Sequence, residues 1–458
     1  MIGSLTHTAA RCLTELKDLG PLKGQLSALC RGAQIRGTVL LAPNGIDLQI
    51  AGEPQISQIV LAALRSSPAL GALEASQRQL SYQPYPRLTV RIVGTLPSAT
   101  DRPDPTLPLQ LPASDAGGEN TRCTPSMTER IAQRHIALQK AATPLPGRRP
   151  RDCFKPINVP GACDGISLIE ALCHLVSHIP ASTWEAECLR GLITTESGES
   201  VTTHRIVRAG QRYLHRFPGR VEPDVDARAE ILHEDEALAV VNKPAPLPMH
   251  AGGRFFRNTL QEFLNAAYAP IKPKPVHRLD ANTTGLVLVA LHPVMVGRLQ
   301  SQFISGQVEK RYLVRVQGHP ERDSFVCEAP ISRSSGPLGS RDVDFEFGLP
   351  ASTGFQVIHR STDGTALLEA RPFTGRTNQI RVHLWSLGLP VCGDAAYLSN
   401  GRRGETQTLG ITDPPLCLHA WKLRFTHPVN EIPASFCAPP PPWASLDIST
   451  SSCLSTDH

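Results

Sequence analysis

The rhythm of apolar and polar positions changes along the chain, and each change predicts a separate folded unit. Near the start, "RGTVLLAPNGIDLQIAG" gives an apolar strand, a turn at Asn44-Gly45 and a second strand from about Ile46, because Asn-Gly between apolar runs is a strong hairpin signal. In "QISQIVLAALRSSPAL", Ile56, Ile59, Val60 and Leu64 recur at helical spacing, and "PRLTVRIVGTL" reads as another strand. The order strand, strand, helix, strand predicts a small α+β sandwich over residues 1–96.

Proline and small polar residues dominate from Pro97 to Pro112, a composition that buries too little surface to order itself. Residues 97–160 are therefore expected to form a linker with one exposed helix, "SMTERIAQRHIALQKAA", followed by the extended, basic "TPLPGRRPRDCFKP". A third unit, 161–229, starts with the helix "ISLIEALCHLVSHI" and the shorter "STWEAECLRG", then a strand-turn-strand through "GLITTESGESV".

From residue 230 the pattern lengthens. The strands "EALAVVNKP", "TGLVLVAL", "KRYLVRVQG", "TALLEARPF" and "CLHAWKLRF" are interleaved with the helices "NTLQEFLNAAY", "PVMVGRLQSQF" and "TNQIRVHLWSLG". Pro293 suits a first helical turn, and Gly388 suits a helix end. Because adjacent strands are mixed with alternation, the fold class expected over 230–438 is a mixed α/β, α+β domain whose sheet is mainly antiparallel. The tail 439–458, "PPPPWASLDISTSSCLSTDH", reads as disordered.

At 458 residues the chain exceeds one ordinary hydrophobic core, which agrees with several units. Hydrophobic residues make up 41%, and no stretch approaches the roughly 20 apolar residues of a membrane-spanning helix. The start has no basic segment followed by an apolar core, so a cytoplasmic location is expected and a membrane partner is not. Twelve cysteines occur without any C-x-x-C, which argues for reduced thiols rather than a zinc knuckle or a redox motif. The net charge of +5 permits nucleic-acid binding without requiring it. Its distribution says more: Lys272, Lys274, Arg278, Arg298, Lys310, Arg311 and Arg315 face only Asp280 and Glu309 between Ile271 and Arg315.

Three segments put a reactive or charged side chain at the edge of an apolar element: "HRLDANTTG", "KRYLVRV" and "FTGRTNQIRVHL". Taken singly, Asp280 suits a turn or cap, Tyr312 suits a half-buried strand, and Arg376 and Arg381 suit surface ion pairs.

Together, "HRLDANTTGLVLVA", "KRYLVRV" and "TGRTNQIRVHLWSLGLPVCGDAAY" closely resemble the motifs of the RluA-type RNA pseudouridine synthases. "LAVVNKPAPLPMH" before them and "CLHAWKLRFTHP" after them extend the resemblance from about Ala237 to His427, in the family's order. Thr284 stands where the family commonly has Ser, Asn378 where it has His, and Pro246 where it has Gly. The resemblance implies isomerisation of uridine in RNA to pseudouridine, in which the base leaves its ribose, turns and rejoins through carbon, with no cofactor and no metal. A stacked base must first be flipped out, at a cost on the order of a few kcal/mol.

On that resemblance Asp280 is the catalytic aspartate, acting either as a nucleophile or as the base that starts a glycal route. Arg376 is its expected charge partner, since a cation within about 4–6 Å favours the ionised carboxylate. Tyr312 matches the tyrosine that lies against the flipped base. Arg278 matches an arginine that fills the space the base leaves, and its alternative is a phosphate contact. Lys310 and Arg381 are placed with it at the RNA-binding surface, as is His277, an orienting or core-edge residue rather than a general base.

The stretch from Gly165 to Gly219 resembles the alpha-L RNA-binding module, and residues 30–94 resemble the acylphosphatase-like domain of rhodanese-type tRNA uridine hydroxylases. No clear first strand of that domain and no rhodanese segment are visible, so hydroxylation is not expected. The likeness favours tRNA over rRNA as the RNA partner, while the sequence leaves the oligomeric state open. The competing reading is an inactive RNA-binding protein of the same fold, against which the joint presence of Asp280, Tyr312 and Arg376 argues. A metal-dependent hydrolase would need more ligands than His277 and Asp280.

Overall fold

A computed structural model of the protein describes residues 5–32, 35–71, 73–80, 88–96, 126–177, 179–336, 339–406 and 408–444. The stretch Pro97–Pro112 and most of the expected disordered tail lie outside the described residues. The N-terminal unit holds β1 (Leu5–Cys12), α1 (Leu19–Gly32), β2 (Arg36–Ala42), β3 (Gly45–Gly52), α2 (Pro54–Arg65), β4 (Ala75–Leu80) and β5 (Leu88–Ile92), with sheet order β4-β1-β3-β2-β5. The β2–β3 hairpin and α2 fall where the pattern predicts them, and Val60, Leu61 and Leu64 pack on Ile46, Leu48 and Ile50. The expected order strand, strand, helix, strand misses β1, α1 and β4. In β1, Thr6, His7 and Thr8 are buried in place of apolar residues, which removes the alternation by which a strand is read.

α3 (Met127–Ala142) begins with a reciprocal capping box between Ser126 and Glu129. It is the helix expected to be exposed, and it is docked instead. Leu138 is 2% exposed and shares a core with Leu264 and Tyr268. Arg134 pairs with the buried Glu234 at 3.2 Å, while the Tyr268 hydroxyl donates to the same carboxylate at 2.7 Å. The polar side chains that give the helix its solvated look thus satisfy a buried acid. Next come β6 (Arg151–Asn158), α4 (Leu168–Leu175), α5 (Ala181–Leu189), β7 (Ile193–Thr195) and β8 (Arg212–Arg220), with β8 central in a three-stranded sheet. β6 occupies the segment expected as an extended linker; its pairing with β8 brings that segment into the fold.

The C-terminal unit contains β9 (Glu230–Glu234), β10 (Leu238–Lys243), α6 (Leu260–Ala267), β11 (Lys274–Pro275), β12 (Thr284–Ala290), α7 (Pro293–Ile304) and β13 (Glu309–Gln317). It continues through β14 (Ser324–Cys327), β15 (Thr353–Arg360), β16 (Thr365–Pro372), α8 (Gln379–Ser386), β17 (Leu418–Thr426) and β18 (Pro433–Cys437). The ten-stranded sheet runs β14-β15-β16-β13-β17-β12-β10-β9, with β11 added to β12 and β18 to β17. This is the mixed, mainly antiparallel fold expected from the sequence.

The one parallel pairing in this sheet, β12 with β17, spans only Thr284↔His419 and Gly285↔Ala420. Two antiparallel half-sheets therefore meet at a two-residue contact, and Tyr312 pairs with the same Ala420 from the other side. A Cβ on Gly285, whose φ is +106°, would sit 2.2 Å from the Ala420 carbonyl oxygen. Only glycine allows this approach. The C-terminal tail begins in order: Trp443 and the fully buried Ala444 pack against Leu313, Leu367 and Trp421, so residues 439–444 correct the expectation of disorder.

Candidate active site

The loop between β11 and β12 carries Asp280 at the junction of the half-sheets. Hydrogen bonds pin it at several points. Leu288 N–H donates to His277 Nε2 at 3.0 Å, Leu247 N–H donates to the Ala281 carbonyl at 2.8 Å, and Thr283 N–H to the Asp280 carbonyl at 3.1 Å. Beneath the loop lies Lys243, fully buried, whose Nζ donates to the carbonyls of Pro244, Leu247 and Ala281 at 2.9, 2.9 and 3.1 Å. Burial pushes its pKa down to about 7, against the raising influence of Asp280 and Asp226.

From the opposite side, α8 brings Arg381. Its Nη1 donates to Asp280 Oδ2 at 3.0 Å. The rest of the guanidinium forms a fork on Asp394, Nε to Oδ2 at 2.7 Å and Nη2 to Oδ1 at 2.7 Å. Arg381 is 2% exposed, and the Asp394 side chain is not exposed at all. Burial works against the charge of Arg381, but Asp394 first and then Asp280 raise its pKa above the usual guanidinium value. Asp394 is itself fixed, because its Oδ1 accepts N–H bonds from Ala396 and Tyr397 at 2.9 and 3.1 Å. Gly393 before it has φ +74° and lies so close to the Pro415 carbonyl that a Cβ would stand 2.0 Å from it.

The start of α8 is locked in the same way. Asn378 adopts φ 59°, a left-handed conformation that Asn tolerates, and its Nδ2 donates to the Tyr397 hydroxyl at 3.0 Å. Gln379 Oε1 accepts from Thr374 Oγ1 at 2.7 Å and from Arg376 N–H at 2.9 Å. The resulting cleft of about 550 Å³ is lined by Asp280, Tyr312, Lys310, Arg278, Arg376 and Arg381 among others. Burial and the neighbouring Asp280 raise the Tyr312 phenol above its ordinary pKa, which keeps it a neutral ring beside the carboxylate. A half-buried acid, a cation held by a fully buried second acid, and an aromatic face meet in one nucleotide-sized space.

A family model described as RNA pseudouridylate synthase matches residues 237–386. The chain is 34% identical over 223 residues to the dual-specificity RNA pseudouridine synthase RluA of Pasteurella multocida, spanning 48% of this chain and 96% of that protein. It is 33% identical to the ribosomal large subunit pseudouridine synthase D of Nitrosomonas europaea, over 59% of this chain and 80% of that protein. The RluA of Escherichia coli strain K12 matches at 34% identity, over 46% and 92%. The chain belongs to the RNA pseudouridine synthase family. It is an isomerase that acts on RNA. A second model, a UPF0176 acylphosphatase like domain, matches residues 9–95. What is shown there is the acylphosphatase-like domain; a relation to rhodanese-type hydroxylases is not part of it.

Within this synthase fold two site expectations are corrected. The arginine on Asp280 is Arg381, whereas Arg376 sits at the cleft mouth with Nε on the Pro350 carbonyl at 3.0 Å. Both lie in "GRTNQIR", and helical geometry decides between them. Arg376 precedes α8, while Arg381 lies inside it, in a run buried from Gln379 to Leu384. Arg381 is consequently closed off from an RNA surface. His277 is likewise committed to the fold: it accepts from Leu288 and stacks on Phe303 at 4.6 Å between ring centroids. Burial and the nearby Lys310 push its pKa down to about 3. Lys310 lines the cleft with Nζ on the Thr374 carbonyl at 3.2 Å, and Arg278 is exposed at its edge. Lys243, Gln379 and Asp394 carry no role in the sequence reading, although each lies inside a quoted motif. Nothing in their spacing reports that they are buried.

Proposed function

We propose that the protein converts uridine to pseudouridine in structured RNA by taking the flipped nucleotide into the cleft at Asp280. The observation that carries this reading is the Asp280–Arg381–Asp394 chain, facing Tyr312 in a space of about 550 Å³. A carboxylate with one oxygen tied to a guanidinium keeps its other oxygen for the target nucleotide, either as nucleophile or as base. Tyr312 provides the face on which the detached uracil turns before it rejoins the ribose through carbon. Arg278, exposed at the cleft edge, fills the place left in the RNA stack or holds a phosphate there. A preorganised cleft of this kind supplies orientation through its own side chains.

tRNA is the favoured substrate, with rRNA as the second. One relative is titled dual-specificity and another acts, by its title, on the large ribosomal subunit. The acylphosphatase-like domain over 9–95 would serve with either RNA as a unit that presents the substrate. The test is carbodiimide-based pseudouridine sequencing of RNA from cells lacking the enzyme, incubated with wild-type or Asp280→Asn protein. Sites made only by the wild type establish the activity and name the target. Folded wild-type protein that binds RNA and makes no site would overturn the proposal in favour of an RNA-binding role.

A further inference from the structure

The loop between β14 and β15 carries two of the most exposed aromatic side chains among the described residues, Phe345 at 82% and Phe347 at 66%. Neither is a loose side chain on a loose loop. Val343 and Leu349 both bridge to Ile331, Gly348 N–H closes the turn on the Asp344 carbonyl at 3.0 Å, and Asp344 Oδ1 accepts the N–H groups of Glu346 and Phe347 at 3.1 and 2.9 Å. A rigid turn thus holds two phenyl rings in water, a cost that a fold does not need to bear for its own packing.

The turn runs directly into the cleft. Three residues after Phe347, the Pro350 carbonyl accepts from Arg376 Nε, and Ser352 O accepts from Phe373 N–H at 2.9 Å. Phe373 lines the cleft and is itself 52% exposed. Cations surround this edge. Arg333 Nε donates to the Phe347 carbonyl at 2.9 Å, Arg376 stands beside Pro350, and Arg371 lies over the Phe373 ring at 5.6 Å. Of the acids in this turn, Asp342 is paired with Arg403, while Asp344, the acceptor that closes the turn, and Glu346 keep their charges beside the arginines.

Exposed rings interleaved with arginines beside a nucleotide-sized cleft are the chemistry of a stacking platform for unpaired bases. We propose that Phe345 and Phe347 stack on unpaired nucleotides flanking the target uridine and hold the RNA open while the uridine occupies the cleft. The inference rests on the isomerase reading above and adds a second contact to it. The occupant is single-stranded RNA rather than a protein segment, because the arginine rim is continuous with the RNA-processing cleft.

Single-turnover conversion of the mapped target RNA by the full chain tests this, with wild type, Phe345→Ala/Phe347→Ala and Phe345→Trp/Phe347→Trp compared. The alanine pair is expected to raise the half-saturating enzyme concentration about tenfold or more, with the maximal rate within about threefold of wild type and circular dichroism unchanged. The tryptophan pair restores the affinity. A second readout uses the same pair: 2-aminopurine placed next to the target uridine is expected to fluoresce less when bound to wild type, where it stacks on the rings, than when bound to the alanine pair, where base flipping leaves it unstacked. An alanine pair with wild-type affinity overturns the proposal and points the patch toward a protein partner. So does a 2-aminopurine signal identical in wild type and variant, or a tryptophan pair that stays as weak as alanine. Wild type that converts no uridine in any RNA overturns the isomerase reading instead, and the platform falls with it.

Discussion

At the scale of residues, Arg381 answers to two acids at once, and the division of its donors sets the site. The bidentate fork on Asp394 leaves Nη1 as the donor that reaches Asp280. Lysine has no fork, so Arg381→Lys cannot hold both carboxylates in this geometry. Turnover by that variant is expected to fall by about 100-fold or more, as is that of Asp394→Asn, which disturbs the fork without touching the cleft. Arg376→Ala should cost far less in maximal rate and act mainly on the half-saturating RNA concentration. Rate measurements in which Arg376→Ala matches Arg381→Lys would show that the charge partner has been misassigned.

The buried imidazoles carry a pH dependence of stability. Burial lowers the pKa of His277 to about 3 and of His419 to about 4, while the unfolded chain titrates near 6.5. Between these limits the unfolded state binds more protons than the folded one, so stability is full above about pH 6.5 and declines as pH falls through the window. Urea midpoints are expected to drop from pH 7 to pH 5, and less steeply in His277→Gln. A midpoint independent of pH over that range would contradict the burial assigned to both rings.

Among the elements, what could be read from the sequence follows the strength of periodicity. "TGLVLVAL", "PVMVGRLQSQF" and "TNQIRVHLWSLG" became β12, α7 and α8 because their apolar positions leave one solution. Asp280 and Tyr312 stand out only through the family resemblance, because singly each suits a structural role: Asp280 lies in the loop before β12 and Tyr312 within β13. β1 and α3 were misread because polar side chains do structural work there, Thr6, His7 and Thr8 within β1 and Arg134 on Glu234. The sequence points Arg381 to a surface role because an arginine near a helix start ordinarily faces water, and no local pattern reveals a buried acid 13 residues away. The docking of α3 leads to a prediction of its own. Leu138→Ala should destabilise the C-terminal unit by about 2–4 kcal/mol in urea unfolding, a loss that an exposed linker helix would not show.

Across the whole molecule, one carboxylate joins the units that surround the site. Glu222, 4% exposed and just after β8, accepts N–H bonds from Phe256, Arg257 and Asn258 at 2.9 to 3.0 Å. Gly147 N–H, beyond the end of α3, reaches Asn258 Oδ1 at 2.8 Å, and Lys155 of β6 donates to the Gly253 carbonyl at 3.1 Å. The segment 253–258 is therefore held from two sides and in turn leads into α6, whose Leu260, Phe263 and Leu264 share a core with Leu247. Glu222→Gln replaces one acceptor oxygen by a donor facing N–H groups and is expected to cost about 1–3 kcal/mol, read as a lower melting temperature.

The assignment of Asp280 and its arginine to the chemistry is tested most directly by tritium release. When uracil rejoins the ribose through its ring carbon, the hydrogen at that carbon passes to water, so RNA carrying uridine tritiated at that position reports each turnover. Wild type is expected to release tritium from the target RNA, Asp280→Asn to release none while binding with wild-type affinity, and Arg381→Lys to release it at least about 100 times more slowly. Release by Asp280→Asn at a rate near wild type would contradict the account.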